Sequence, residues 1–291
     1  MRTKAQRLLV IGRGARLLDA GVEERLRAEF ADDVVVDFDP KLDVARLVEP
    51  QARVVVAGGD GTVEHVVRSL ADLDHPLGII PLGTFNNFAH ALGLPTDLEE
   101  AVQVVKTGRT RAITLGRVHK HVFLEACAIG LFGEAIVLGD KAKDLEFGGV
   151  VQKMGEVIAA RPFEYQLSGD LVAQGTAMSL VFSNTASIGL QLPVSDATPV
   201  DPYLEFAADA GQSVTDIVGR ALASTILDKH EEEGSGRLFR FRRLRVRTSP
   251  RVRAYADSRL AGRTPCTVAA EVSALRVILP GGGQRCNSPT R

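Results

Sequence analysis

Arg53-Val54-Val55-Val56-Ala57-Gly58-Gly59-Asp60-Gly61-Thr62-Val63-Glu64-His65-Val66-Val67 is the stretch that decides how this chain is read. Its first half is a short apolar, β-branched run, the pattern of a strand buried on both faces. Its second half places Val63, Val66, Val67 and Leu70 on one helical face. Between them, Gly58, Gly59, Asp60, Gly61 and Thr62 form a glycine-rich turn at the carboxyl end of the strand. Glycines let backbone amides approach a phosphate that a Cβ would block, and a helix N-terminus favours negative charge. Asp60 is the wrong sign for a direct phosphate contact. It suits a magnesium ion carried by a nucleotide, or a neighbouring donor that needs orienting. A plain strand-to-helix turn with a capping Asp is the alternative.

A second loop reads Pro81-Leu82-Gly83-Thr84-Phe85-Asn86-Asn87-Phe88-Ala89. It follows the next apolar run, Gly78–Pro81, and opens the next helix. Gly83, Thr84 and Asn86 put a flexible turn and side-chain polar groups beside a second strand end. Ligands of open α/β sheets bind at such strand ends. Two polar loops on successive strands favour a ligand site over two unrelated helix caps.

The pattern extends outward. Leu8–Ile11 and Val34–Val36 are further strands, with Leu18, Val22 and Leu26 at helical spacing between them. Thr96-Asp97-Leu98-Glu99 reads as a capping box, and Gly108 as the stop of that helix. Strands alternating with helices predict a Rossmann-like parallel sheet covered on both faces. From Arg111 onward strands dominate: Ala112–Val118, Val122–Ala128, Ala177–Ser183, Leu204–Ala207, Phe239–Thr248, Arg251–Ala256 and Leu275–Leu279. Helical stretches are expected at Lys141–Ala160 and Thr215–Leu227. The fold class is therefore α/β plus β. An α/β domain is expected over 1–111 and a β-rich domain over 112–280, with a polar loop at Glu231–Gly236 and a disordered tail over 281–291.

Bulk properties bound the function. The 291 residues suit two domains, and 45% hydrophobic with 24% charged residues is an ordinary globular balance. A net charge of -1 gives the whole chain no attraction to polyanions, so no nucleic-acid partner is expected. Cys127, Cys266 and Cys286 show no metal-ligand spacing, and their sparseness fits a reducing compartment. No apolar stretch reaches transmembrane length. The expectation is a cytoplasmic protein that meets any lipid peripherally, from the water side. A homo-oligomer is left open.

The two loops together resemble the diacylglycerol kinase catalytic domain family, which includes bacterial diacylglycerol kinases, sphingosine kinases and related lipid kinases. Gly-Gly-Asp-Gly-Thr is shared more widely, including with NAD kinases. Pro-x-Gly-Thr-x-Asn-x-Phe-Ala points to the lipid branch, and the Asn-x-Gly-x-x-Gly-Phe segment expected of NAD kinases is missing. The resemblance implies a C-terminal antiparallel β-sandwich and a cleft that takes ATP, Mg²⁺ and a lipid hydroxyl at a membrane surface. It carries nucleotide binding onto Gly58, Gly59, Asp60, Gly61, Thr62, Gly83, Thr84 and Asn86, and a catalytic role onto Asp60. It also implies that Ser183-Asn184 ends a sandwich strand. Asp201-Pro202-Tyr203-Leu204 resembles the family's Asp-Gly-x-Leu segment, which holds a structural metal, making Asp201 a candidate ligand although Pro202 replaces the glycine.

The chain departs from the family in three further places. The turn after the first strand reads Ile11-Gly12-Arg13-Gly14-Ala15, keeping glycines and adding a cation. Glu64-His65 stands where the family tends to have Asn-Glu. The family's Asp-Gly-Glu base segment reads Asp257-Ser258-Arg259. A guanidinium cannot take a proton at neutral pH, so Asp257, or else Glu271, is the candidate base. The alternative is a relative that binds nucleotide or lipid without transferring phosphate. Arg240, Arg242, Arg243, Arg245, Arg247, Arg251 and Arg253 read as the solvated face of paired strands, or as a patch for anionic lipid. His119-Lys120-His121 reads as a hairpin turn, and His65, His90 and Cys127 as structural residues.

Overall fold

The computed structural model describes residues 4–12, 21–143, 161–188, 192–209 and 238–281. The chain divides into two compact units, Met1–Ile113 with Ser273–Arg291, and Thr114–Val272.

The first unit is built on β1 (Ala5–Ile11), β2 (Val34–Asp37), β3 (Val48–Gly58) and β4 (Pro76–Pro81), in the spatial order β2-β1-β3-β4. All three neighbouring pairs are parallel, with Leu8 opposite both Val34 and Val54, and Val54 opposite Leu77. Its helices are α1 (Val22–Glu29), α2 (Asp60–Leu70), α3 (Asn87–Ala91) and α4 (Leu98–Thr107). One face of the sheet packs Leu9, Ile11, Val55 and Ile80 against Leu26 and Phe30 near α1 and against Val102 and Val105 of α4. On the other face Leu8, Val10, Val54 and Val56 are fully buried, as are Val66, Val67 and Leu70 of α2. The unbroken apolar strands of the sequence are the mark of this two-sided burial. α4 starts one residue later than the capping box suggests: Asp97 is the N-cap, its carboxylate accepting from the amides of Glu99 and Glu100 at 2.9 and 3.0 Å. An Asp at this position satisfies two first-turn amides by itself, so Thr96 is not needed as the cap.

The second unit carries β5 (Arg109–Val118, from Thr114 on), β6 (His121–Phe123), β7 (Ala126–Gly130), α5 (Leu131–Lys143), β8 (Phe163–Gly169), β9 (Ala173–Ala177) and β10 (Ser179–Ser183). It continues through β11 (Ser187–Ile188), β12 (Leu192–Pro193), β13 (Leu204–Asp209), β14 (Phe239–Phe241), β15 (Arg243–Ser249), β16 (Arg253–Ala256), β17 (Arg259–Arg263) and β18 (Cys266–Leu279). The antiparallel run β14-β13-β10-β7-β16-β17 forms one sheet; β18-β15-β8-β9 faces it. The core between them contains Phe163, Leu167, Leu244 and Val246 from one layer and Phe182, Phe206, Phe241 and Ile129 from the other. Phe182 stacks on Phe206 with ring centroids 5.1 Å apart. The fold is thus the expected α/β layer with an antiparallel β-sandwich. Cys127 and Cys266 are free thiols inside this core; burial pushes Cys266 up to about 12 and Cys127 well above the ordinary thiol range, which leaves both unreactive.

Several elements differ from the sequence reading. The run Val122–Ala128 is broken into β6 and β7, and Phe239–Thr248 into β14 and β15. β18 extends far upstream of Leu275. Of the helix expected at Lys141–Ala160, residues 141–143 form the end of α5, and 144–160 lie outside the described residues. Thr215–Leu227, the Glu231–Gly236 loop, Arg13, Leu18 and the tail from Gly282 also lie outside them. His119 and Lys120 do form a tight turn, with Val118 opposite His121.

Candidate functional site

The glycine turn leaves β3 at Gly58 and enters α2 at Asp60, with Gly59 as an extended N-cap. The amides of Thr62 and Val63 both donate to the carbonyl of Gly59 at 3.0 Å, which closes the first turn. Thr62 is buried, and its side chain fills space that two glycines leave. A Cβ on Gly58 would lie 2.9 Å from the Cβ of Thr62, and one on Gly12 would overlap the same side chain. Gly61 faces open space and is exposed.

The second loop locks onto the first. Asn86 is buried and takes a left-handed conformation, φ 50°, which Asn tolerates better than most residues. Its side chain accepts from the Gly83 amide and donates to the Gly83 carbonyl, both at 2.8 Å. Its own amide donates to the Asp60 carboxylate at 2.9 Å. A Cβ on Gly83 would stand 2.6 Å from the Cα of Gly59 and 2.8 Å from Oδ1 of Asn86. The two loops therefore touch backbone to backbone, and the ties from Asp60 and Asn86 hold them in register. Gly83→Ala is expected to lower stability by about 1–2 kcal/mol through this overlap, seen as a reduced urea midpoint. Thr84 is exposed beside this cluster, as is His90. His65 is tied elsewhere, to the carbonyl of Leu42 at 2.6 Å.

The predicted nucleotide residues Gly58, Gly59, Asp60, Gly61, Thr62, Gly83, Thr84 and Asn86 are thus one contiguous pair of loops in the first unit. No group of three or more His, Cys, Asp or Glu among the described residues could enclose a metal. Asp60 is the carboxylate the two loops offer.

The second unit holds Asp257, Arg259, Glu271 and Asp201. Asp257 sits in the two-residue turn between β16 and β17, at φ 52°. Its carboxylate accepts from the amides of Leu124, Glu125 and Ala126 at 3.0, 2.9 and 3.2 Å, and its own amide donates to the Ala126 carbonyl at 2.8 Å. Asn184 serves the same segment from the other side. Its side-chain nitrogen donates to the Leu124 carbonyl at 2.9 Å, and its amide to the Glu125 carbonyl at 2.7 Å. Arg259 begins β17 and is exposed. Glu271 is paired with Arg117 at 3.3 Å. Asp201 uses its backbone: its amide donates to Thr198 and its carbonyl accepts from Thr114 at 2.6 Å.

Two polar groups inside the second unit, one buried and one half-buried, escaped the sequence reading. Glu205 is buried in β13 and accepts from the Asp196 amide and from Arg240. Glu134, early in α5, accepts from the Tyr255 hydroxyl at 2.7 Å. Neither lies in a local motif, and only the strand pairing brings their partners close.

Comparison with known proteins agrees with this geometry. Residues 12–118 match the diacylglycerol kinase catalytic domain. A diacylglycerol kinase of Mycobacterium tuberculosis is 29% identical over 243 residues, covering 79% of this chain and 77% of the relative. One from Bacillus subtilis is 34% identical over 143 residues, 47% of each chain. The crystal structure of a diacylglycerol kinase from Bacillus anthracis matches with a TM-score of 0.68 at 21% identity, covering 96% of this chain and 98% of that one. An NAD kinase from Archaeoglobus fulgidus, solved with ATP, matches at 0.53 and 12% identity over 94% of this chain and 92% of that one. At these identities the two structures attest the shared fold alone. The domain match and the curated relatives agree with the paired loops: residues 12–118 are similar to the diacylglycerol kinase catalytic domain, and the chain resembles kinases that carry it.

Proposed function

We propose that the chain is an ATP- and Mg²⁺-dependent lipid kinase that phosphorylates the hydroxyl of diacylglycerol or a similar amphipathic alcohol. The observation that carries this reading is the interlock of the two glycine loops through Asp60, Asn86 and Gly83. Such a cradle presents backbone amides and a helix N-terminus to phosphate. Mg²⁺, when bound with ATP, supplies charge neutralisation on the transferring phosphoryl group. Asp60 would supply the carboxylate for it, and Gly61, which faces open space, leaves the backbone bare for close approach.

The acceptor hydroxyl must lose a proton. Arg259 cannot take it, and the oxygens of Asp257 are already engaged by three amides. Phosphoryl transfer passes through a loose transition state with little bond formation to the nucleophile. The proton can therefore leave late, onto the transferred phosphoryl oxygen, at a reduced rate. The same two residues favour a second reading, a relative that binds nucleotide or lipid without transfer.

The deciding experiment is phosphate transfer from labelled ATP to a panel of lipids in mixed micelles, comparing wild type with Arg259→Glu. Slow transfer by the wild type is expected. Restoring a carboxylate at position 259 should raise it by about a hundredfold, the usual worth of a general base. A silent wild type that still binds Mg-ATP, alongside an active Arg259→Glu, would replace the kinase reading by the binding one.

A further inference from the structure

The outer face of the second unit carries a row of cations that the nucleotide loops do not use. β15 alternates exposed Arg243, Arg245 and Arg247 with buried Leu244 and Val246. Strand geometry puts the three guanidinium stems about 7 Å apart on one face. Their neighbours in register are neutral. Ala269 and Thr267 of β18 lie opposite Arg243 and Arg245, and Ser168 and Gln166 of β8 lie opposite Arg245 and Arg247. Like charges in a row without opposite charges in register repel one another, and solvated sheet faces ordinarily interleave the two signs.

Arg117 and His119 border a groove of about 420 Å³ that also includes Arg243, Arg245 and Thr267. Glu271 is the acid in its lining, and it is paired with Arg117. At one end of the row, Asp170 spends its carboxylate on the amides of Arg242 and Arg243 at 2.7 and 3.0 Å. At the other end Glu164 stands opposite Ser249. The turn between β8 and β9 adds an apolar tip, because Val172 is 82% exposed. That turn is anchored beside the row by the Asp170 amide, which donates to the Arg243 carbonyl.

We infer that this face docks the chain onto a bilayer containing anionic lipid. Cations at headgroup depth pair with lipid phosphates, and an apolar tip among them enters the acyl boundary. A row of guanidinium groups also fits a nucleic-acid backbone, but the apolar tip favours the bilayer. The inference deepens the lipid-kinase reading by naming the surface that would meet the substrate's membrane. Its test needs neither nucleotide nor turnover, so the two can fail separately.

The test is cosedimentation with vesicles of phosphatidylcholine alone and of equimolar phosphatidylcholine and phosphatidylglycerol. Wild type should bind the equimolar vesicles, ignore the neutral ones, and be released by salt. The triple variant R243Q/R245Q/R247Q should bind about a hundredfold more weakly, at roughly fivefold per charge lost. R109Q/R111Q, which removes two exposed arginines elsewhere, should bind as wild type does, with circular dichroism confirming that both variants fold. Val172→Asp should weaken binding in the otherwise wild-type chain. Failure of the wild type to bind equimolar vesicles would overturn the inference. So would equal binding to neutral vesicles, undiminished binding by the triple variant, or tighter binding to duplex DNA than to lipid.

Discussion

Asp60→Ala is expected to lower phosphate transfer by about a thousandfold, the scale on which removing one preorganised electrostatic group from a phosphoryl or acyl transfer site acts. Two roles meet in this carboxylate. It accepts the Asn86 amide, which fixes the second loop, and in the proposed reading it holds the metal that accompanies the nucleotide. Asp60→Asn separates them. The amide oxygen of Asn still accepts from Asn86, so the loops keep their register, while the negative charge is gone. The proposed function requires Asp60→Asn to be nearly as inactive as Asp60→Ala, with weakened Mg-ATP binding by calorimetry and an unchanged urea midpoint. Near-normal activity in Asp60→Asn would reduce Asp60 to a structural tie and move the metal elsewhere.

The second large effect is on stability. Asp257→Ala is expected to destabilise the second unit by about 3 kcal/mol. Three amides, of Leu124, Glu125 and Ala126, lose their acceptor at once, and each partly buried unpaired donor costs about 1 kcal/mol or more. Alanine is also less at ease than aspartate at φ 52°. Asp257→Asn keeps one oxygen for two of those amides and tolerates the left-handed conformation, so a loss of about 1 kcal/mol is expected. Urea unfolding of both variants measures this order. The pair also discriminates chemistry from architecture. A catalytic base would lose nearly all turnover in Asp257→Asn while the fold held. The clamp described above predicts that Asp257→Asn retains most of its turnover.

Much of the first unit was legible because its information is local. The strand at Val54–Val56, the glycine turn and the apolar face of α2 are adjacent in sequence, and each has its own period. Reading Gly83 and Asn86 as site residues was also local. Their lock onto Asp60 was not, since that hydrogen bond spans 26 residues and depends on β3 and β4 being neighbours. The second unit was harder for physical reasons. β8 and β9 place Phe163, Leu167 and Ala177 inward, with Tyr165 and Ala173 half-buried against them, but otherwise carry Glu, Gln, Ser, Thr and Gly, a weak strand signal. The first half of β18, Cys266-Thr267-Val268-Ala269-Ala270-Glu271-Val272, breaks its β-branched residues with Ala269-Ala270-Glu271 and shows no clean alternation, and its pairing with β15 sets its conformation. α5 is apolar nearly all round at its start and contains two glycines, so no helical face could be read from Leu131. Asp257 is a candidate base through its place in the segment that matches the family's Asp-Gly-Glu; the three amides it holds are more than 130 residues away and could not be read from that segment.

The path of β18 bears on how the chain is made. Its first residues pair with β15 in the second unit, while Arg276 and Val277 pair with β4 in the first. Synthesis from the N-terminus delivers β1 to β4 early, yet the edge of β4 stays open until β18 has emerged, after all the other strands. Unpaired strand edges are the template for association between chains. For this protein the first unit to be synthesised is therefore the last to be closed, and the interval between is the time at which a nascent chain is most exposed to its neighbours on the same messenger.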